Sequence, residues 1–136
     1  MTATATLVGN TTRPPELKYT AAGQGVASFA VAVNRRWKDR NGDWQEQVSF
    51  FDVSCWGDLA ENVTSTVEKG CRVTVTGRLE QQRWETGDEE TRSKIVVVAD
   101  DVAVSLRWAT ADVHRTERRQ PGEPAASSSR YDEEPF

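Results

Sequence analysis

Three aromatic residues, Phe50, Trp56 and Trp84, stand where a strand would turn them away from a core, and a fourth, Trp37, stands in a run of cations. Around Phe50 and Trp56 the odd positions Phe51, Val53 and Cys55 carry the core-facing pattern. Strict alternation then sends Phe50, Asp52, Ser54 and Trp56 to the opposite face. In the stretch ending at Trp84, Val73, Val75 and Leu79 point inward, so Arg72, Thr74, Thr76, Arg78, Glu80, Gln82 and Trp84 point outward. Trp37 lies in the run Asn34 Arg35 Arg36 Trp37 Lys38. Parity places it with Phe29, so its exposure requires the strand to continue beyond the core. Flat rings that stack on bases, interleaved with Arg35, Arg36, Lys38, Arg72 and Arg78 to meet phosphates, are the chemistry of single-stranded nucleic-acid binding, in which stacking contributes about 1–3 kcal/mol per base. For Phe50 and Trp56 the same parity fits packing against another protein surface equally well. Trp44 and Trp108 are expected to be structural. Arg13, Arg40, Arg83 and Arg92 extend a cationic track or are simply solvated.

A second chemistry sits at the end of the chain, where Asp132 Glu133 Glu134 Pro135 Phe136 offers three acids, a Pro and a terminal ring. This is a poor folding element and a good ligand, and a free C-terminus with a ring beside it suggests a tethered peptide bait. The plain alternative is a charged, solubilising end, for which a terminal Phe is a poor choice.

No catalytic or metal site is read. The one histidine, His114, falls where the pattern of order stops, and Asp100 Asp101 and Asp88 Glu89 Glu90 read as a turn and a solvated loop. The glycines form no phosphate cradle, and no cofactor is expected. Cys55 and Cys71 fit neither a disulfide framework nor a zinc site and read as neutral thiols. Net charge is −4: residues 1–110 hold 13 Lys and Arg against 15 Asp and Glu, the remainder 4 against 6. Bulk charge therefore gives no support for a polyanionic partner, and any basic patch must be local. No apolar run approaches the roughly 20 residues of a membrane span, and the N-terminus lacks a signal-peptide pattern, so a cytoplasmic protein is expected.

The elements that must position these residues follow from the period of two between Thr4 and Leu106. Five strand regions are expected. The first runs from Ala5 to Tyr19, bent at Gly9 Asn10 and interrupted at Pro14 Pro15; the second spans Val26 to Lys38. Asn41 Gly42 is the dipeptide of a tight hairpin whose central residues both need positive φ. The third strand spans Gln45 to Trp56, the fourth Cys71 to Trp84, and the fifth Arg92 to Leu106. Asp58 as N-cap with Glu61, then Leu59, Val63 and Val67 up to Gly70, predicts a helix between strands three and four. The fold class is all-β: a five-stranded OB-fold barrel with one short helix between strands 3 and 4 and a disordered C-terminal tail. The domains read as residues 1–110 for the barrel, 111–130 for a flexible linker too poor in large apolar side chains to fold, and 131–136 for the acidic tip.

Leu7 Val8 Gly9 Asn10, Pro15 Glu16 Leu17 Lys18 Tyr19, Val26 Ala27 Ser28 Phe29 and Asn34 Arg35 Arg36 Trp37 occur in that order. They are followed by Phe50 Phe51 Asp52 Val53, then Trp56 Gly57 Asp58 Leu59 Ala60 Glu61 Asn62 Val63, and Lys69 Gly70 Cys71 Arg72 Val73. Over about residues 1 to 107, and again at the tip, the chain resembles bacterial single-stranded DNA-binding proteins. The resemblance implies an OB-fold homotetramer, cytoplasmic and nucleoid-associated, that binds single-stranded DNA with little sequence preference in replication, recombination and repair. It implies stacking by Trp37, Phe50, Trp56 and Trp84, and docking of replication and repair enzymes on Asp132 to Phe136. Glu80 and Gln82 depart from a region that is often basic in the family, and the linker is short. A rival reading of the same residues is an OB-fold adaptor whose outer aromatics form protein interfaces.

Overall fold

The computed structural model describes residues 1–116, in which the period-two segments form six strands and one helix. The strands are β1 (Thr4–Thr11), β2 (Glu16–Tyr19), β3 (Gly25–Lys38), β4 (Trp44–Trp56), β5 (Arg72–Glu85) and β6 (Thr91–Val104), and α1 (Asp58–Thr66) lies between β4 and β5. The order β1-β5-β6-β4-β3 closes on itself because the end of β1 pairs back to β3, Asn10 opposite Ala32 and Thr11 opposite Val31. These five strands are the barrel. The expected first strand is thus two: β1 belongs to the ring, and beyond Pro14 Pro15, which lack the N–H a ladder needs, β2 pairs along β3 from outside it.

The interior is filled by Phe29, Val31, Val53, Cys55, Val73, Val75 and Val97, all fully buried. Each such Val or Phe contributes roughly 1.5–3 kcal/mol. Burial also pushes the Cys55 thiol up to about 11, so it is neutral at physiological pH. Helix α1 buries Ala60 and Val63 and, with Val67, covers the side of β3 and β4. Its N-cap is Gly57, at φ 68°, one residue before the expected Asp58, whose carboxylate instead lies in the first turn. The helix stops at Val67, and Gly70, at φ 83°, turns the chain into β5. The buried Thr11 hydroxyl fastens this exit, donating to the Glu68 carbonyl and accepting the Cys71 N–H at 3.1 Å.

Phe51 and Leu79 were expected in the core, and both remain partly open. The reason is coverage. β4 pairs with β6 only over Asp52–Ser54, so Phe51 lies past the last pair, and β1 begins opposite Arg78, one residue short of Leu79. Between Thr76 and Gly77 the β5–β6 register shifts: Thr76 faces Asp101 and Gly77 faces Ala99, leaving Asp100 as an extra residue on β6. Such a bulge sharpens local twist, which ring closure requires. Gly77 permits it, since a Cβ there would sit against the Val98 carbonyl and 2.9 Å from the Ala99 Cα. Gly77→Ala is therefore expected to destabilise the barrel by about 2 kcal/mol or more in urea unfolding, while Gly87→Ala, whose new methyl meets nothing within 4 Å, stays near wild type.

Candidate nucleic-acid interface

Strand register decides which side chains share the outer face. β3 and β4 pair without interruption from Val26 opposite Trp56 to Lys38 opposite Trp44, a ribbon that runs on past the barrel. Trp44, Val48, Phe50, Asp52, Ser54 and Trp56 of β4 therefore lie on one face with Arg36 and Lys38 of β3. In the barrel this face continues sideways: Asp52 aligns with Val96 and Ser54 with Val98 on β6, and these oppose Glu80 and Arg78 on β5. Further along the same face Gln82 opposes Lys94 and Trp84 opposes Arg92. Phe50, Trp56, Trp84 and Arg78 thus share one outer surface spanning β4, β6 and β5.

The rings stand out from it. Phe50 is 69% exposed, and Trp56 and Trp84 are each 45% exposed. Trp84 borders an open depression of about 580 Å³ with Gln82, Arg83 and Lys94. Two carboxylates occupy the middle of the face, each beside a cation: Glu80 lies 3.5 Å from Arg78, and Asp52 lies 3.9 Å from Lys94. These exposed pairs are worth little to stability, but they partly neutralise the cations before any ligand arrives.

The remaining sequence-selected residues are placed differently. Trp37 and Arg35 are on the other side of the β3–β4 ribbon, in register with Gln45 and Gln47, and the Arg35 guanidinium lies 4.9 Å from the Trp37 ring centre. Arg72 is at the opposite end of β5 from Trp84, beside β1, and donates to the Ser105 hydroxyl at 2.6 Å. The tip, Asp132 to Phe136, lies outside the described residues, as do the positions of the 111–130 linker beyond 116. Trp108, at 4.8 Å from the Arg107 guanidinium, follows the last strand.

Trp44, expected to be structural, is 61% exposed and shares the face of Phe50 and Trp56. Arg36 and Lys38 approach its ring at 5.3 and 5.4 Å. The signal was available: the parity that selected Phe50 and Trp56 selects Trp44 as soon as the strand is begun one residue before Gln45.

The turn beneath it departs from the expected two-residue loop. Gly42 alone takes positive φ, at 81°, and Asp39 pairs with Asp43, enclosing three residues. Asp39 organises this turn: one carboxylate oxygen accepts the N–H groups of Asn41 and Asp43, both at 2.9 Å, and the other accepts the Gln45 amide at 3.0 Å. The Asp43 hydrogen bond, then that of Gln45, lowers the Asp39 pKa below its ordinary 3.8. Glu46 likewise accepts from the Asn34 amide at 2.6 Å. Two of the carboxylates near the tip are thus occupied within the ribbon, while Arg36 and Lys38 face the Trp44 ring. Among the described residues no three His, Cys, Asp or Glu side chains are placed to hold a metal, and no helix is long and apolar enough to cross a membrane.

A closed five-stranded barrel with a helix between its third and fourth strands, presenting exposed rings and cations on an open outer face, defines an OB-fold protein of the surface-binding kind. The model of the Single-strand binding protein family matches residues 2–105. The chain belongs to that family. It is 43% identical over 117 residues to a single-stranded DNA-binding protein of Mycolicibacterium smegmatis, covering 85% of this chain and 71% of that one. It is 44% identical over 115 residues to that of Corynebacterium glutamicum, covering 83% and 51%. Among solved structures, a Plasmodium falciparum SSB in complex with ssDNA shares the fold at a TM-score of 0.72 and 22% identity, covering 77% of this chain and 96% of that one. A small single-stranded DNA-binding protein from Streptomyces coelicolor does so at 0.65 and 24%, covering 78% and 96%.

Because the folded pKa of Asp39 is depressed, the order it confers is present above the unfolded value and is lost as pH falls through the folded one. Asp39→Ala is expected to speed amide exchange at Asn41 and Asp43 at neutral pH, leaving Val53 and Val97 protected. Wild type should approach the same exchange pattern, relative to intrinsic rates, only in acid.

Proposed function

We propose that this protein binds single-stranded DNA with little sequence preference and without catalysis. The observation that carries the reading is the shared register of Phe50, Trp56 and Trp84, exposed rings on one outer face with Arg78, Lys94 and Arg92 between them. Every base has a face to stack, so such a surface tolerates any sequence, and the cations track the phosphates. Arg36 and Lys38 extend that path along the ribbon. A strand passing over the ribbon's edge meets Trp37 and Arg35 on its other side, and Arg72 serves a separate stretch of backbone at the far end of β5. Family membership and the names borne by the relatives support the same ligand.

The finer reading follows the family. The protein acts as a homotetramer in the cytoplasm, associated with the nucleoid, protecting DNA in replication, recombination and repair. Residues 1–110 form the binding domain and 111–130 the tether. The tip Asp132 to Phe136 recruits partner enzymes through the ring of Phe136 and its acidic residues. Since Arg78 and Lys94 already face Glu80 and Asp52, DNA displaces an internal carboxylate as well as counterions. The salt dependence of binding is therefore shallower than the number of cations implies.

Titrating tryptophan fluorescence with oligo-dT of several lengths, at low and high salt, tests this. Quenching should be stoichiometric and length-dependent. Trp56→Ala and Trp84→Ala should each weaken binding by about 5-fold or more, the lower end of the loss of one stacked base. Absence of quenching at low salt would assign the aromatic face to protein contacts, the adaptor reading. Deleting Asp132 to Phe136 should leave oligo-dT affinity unchanged or tighter while abolishing capture of replication and repair enzymes; loss of DNA binding on that deletion would contradict the division of labour.

A further inference from the structure

The bulge on β6 does more than help close the ring. Asp100, the extra residue, borders an open depression of about 460 Å³ whose other walls are Trp56, Leu59, Val98, Gln24 and Arg78. Trp56 offers a ring and Leu59 and Val98 apolar contact, while Asp100, Gln24 and Arg78 bring polar groups to the same space. Gln24 is held there by its backbone, which accepts the Thr20 N–H at 2.9 Å and donates to the Thr20 hydroxyl at 3.2 Å. Arg78 leans 3.5 Å from Glu80 on the neighbouring outer position of its strand. Among the described residues neither the Asp100 carboxylate nor the Gln24 side-chain amide has a hydrogen-bond or ion-pair partner. The depression thus joins a stacking surface to unspent hydrogen-bonding groups of defined sign.

A carboxylate inside a polyanion's binding face opposes the phosphates unless a base satisfies it. It has two acceptor oxygens and no donor. Of the four bases splayed onto a ring, guanine alone presents two adjacent donors, N1–H and the N2 amine, on its Watson–Crick edge, and its O6 accepts from an amide or guanidinium alongside. Thymine presents one N–H between two carbonyl oxygens, which a carboxylate repels. Cytosine and adenine each place an acceptor beside their single amine. Single-stranded recognition commonly combines stacking with reading of this edge.

Resting on the single-stranded DNA reading above, we propose that this depression is a guanine-preferring subsite within an otherwise sequence-tolerant face. The base stacks on Trp56, Asp100 accepts its N1–H and N2–H, and Gln24 or Arg78 donates to O6. The bulge sets where this acid stands: Asp100 is the extra residue on β6, between Ala99 opposite Gly77 and Asp101 opposite Thr76.

The test uses the full chain and a dT oligomer of about 8 nucleotides, within the span of one OB-fold site, carrying a single central dG, deoxyinosine, dA or dT. Deoxyinosine keeps N1–H and O6 and lacks only the N2 amine. Wild type is expected to bind the dG oligomer about 5-fold or more tighter than the dT one, the lower end for a bidentate base contact, with deoxyinosine between them and dA close to dT. In Asp100→Asn the ratio of dG to dT affinity should fall towards one, while dT binding persists or tightens as repulsion is relieved. Equal affinities in wild type, or a ratio that Asp100→Asn leaves unchanged, would overturn the subsite while the DNA-binding reading stands. An unchanged ratio accompanied by altered oligomeric mass would also overturn it and give Asp100 to a subunit interface. Failure of wild type to bind any of the oligomers would instead remove the reading on which the subsite rests.

Discussion

Closure of the ring is the constraint from which the rest follows. Once Asn10 and Thr11 of β1 pair with Ala32 and Val31 of β3, five strands enclose a space just large enough for Phe29 and a set of valines. The period of two then leaves alternate residues outside. Aromatic side chains at those positions have no core to enter, so Phe50, Trp56 and Trp84 stand in solvent because the interior parity is already taken. Bending so small a sheet also concentrates twist. The structure takes up twist at the β5–β6 bulge, where Gly77 lets two backbones approach closely and Asp100 is expelled from the ladder.

The electrostatics of the face reflect a chain that is acidic overall yet offers a path for a polyanion. Its cations are not massed. Arg78 and Lys94 face carboxylates across the outer surface, and Arg36 and Lys38 rest against Trp44. On the reading proposed above, stacking carries more of the binding than charge does, because a ring loses nothing to a neighbouring carboxylate whereas a paired cation must exchange partners. In the ribbon beyond the barrel, Asp39 and Glu46 are likewise engaged, by hydrogen bonds of the turn and the strand.

Much of this was legible from residue types alone. Alternation exposed the inward set Val53, Cys55, Val73 and Val75 and the outward set Phe50, Trp56, Arg78 and Trp84, since side-chain direction in a strand is a local property. Coverage is not local. Phe51 and Leu79 have the inward parity and remain partly open because the next strand stops short of each, and Pro14 Pro15 interrupt what reads as one strand, leaving β1 to pair chiefly with β5 and β2 to continue along the edge of β3 that the end of β1 begins. Trp44 escaped because its strand begins one residue earlier than the apolar pattern does.

The sequence by itself determined the class of fold, the alternation that separates core from surface, the position of the helix, and which residue types can stack on bases or meet phosphates. All of these depend on φ/ψ preference and period, which neighbouring residues settle among themselves. Only the tertiary structure decided that rings from β4 and β5 share a surface through β6, that Trp37 faces away from them, that Arg72 lies at the far end of β5, and that Asp100 enters the depression beside Trp56. Those are matters of register between segments distant along the chain. Register is set by closing the ring around one particular core, which no local pattern specifies.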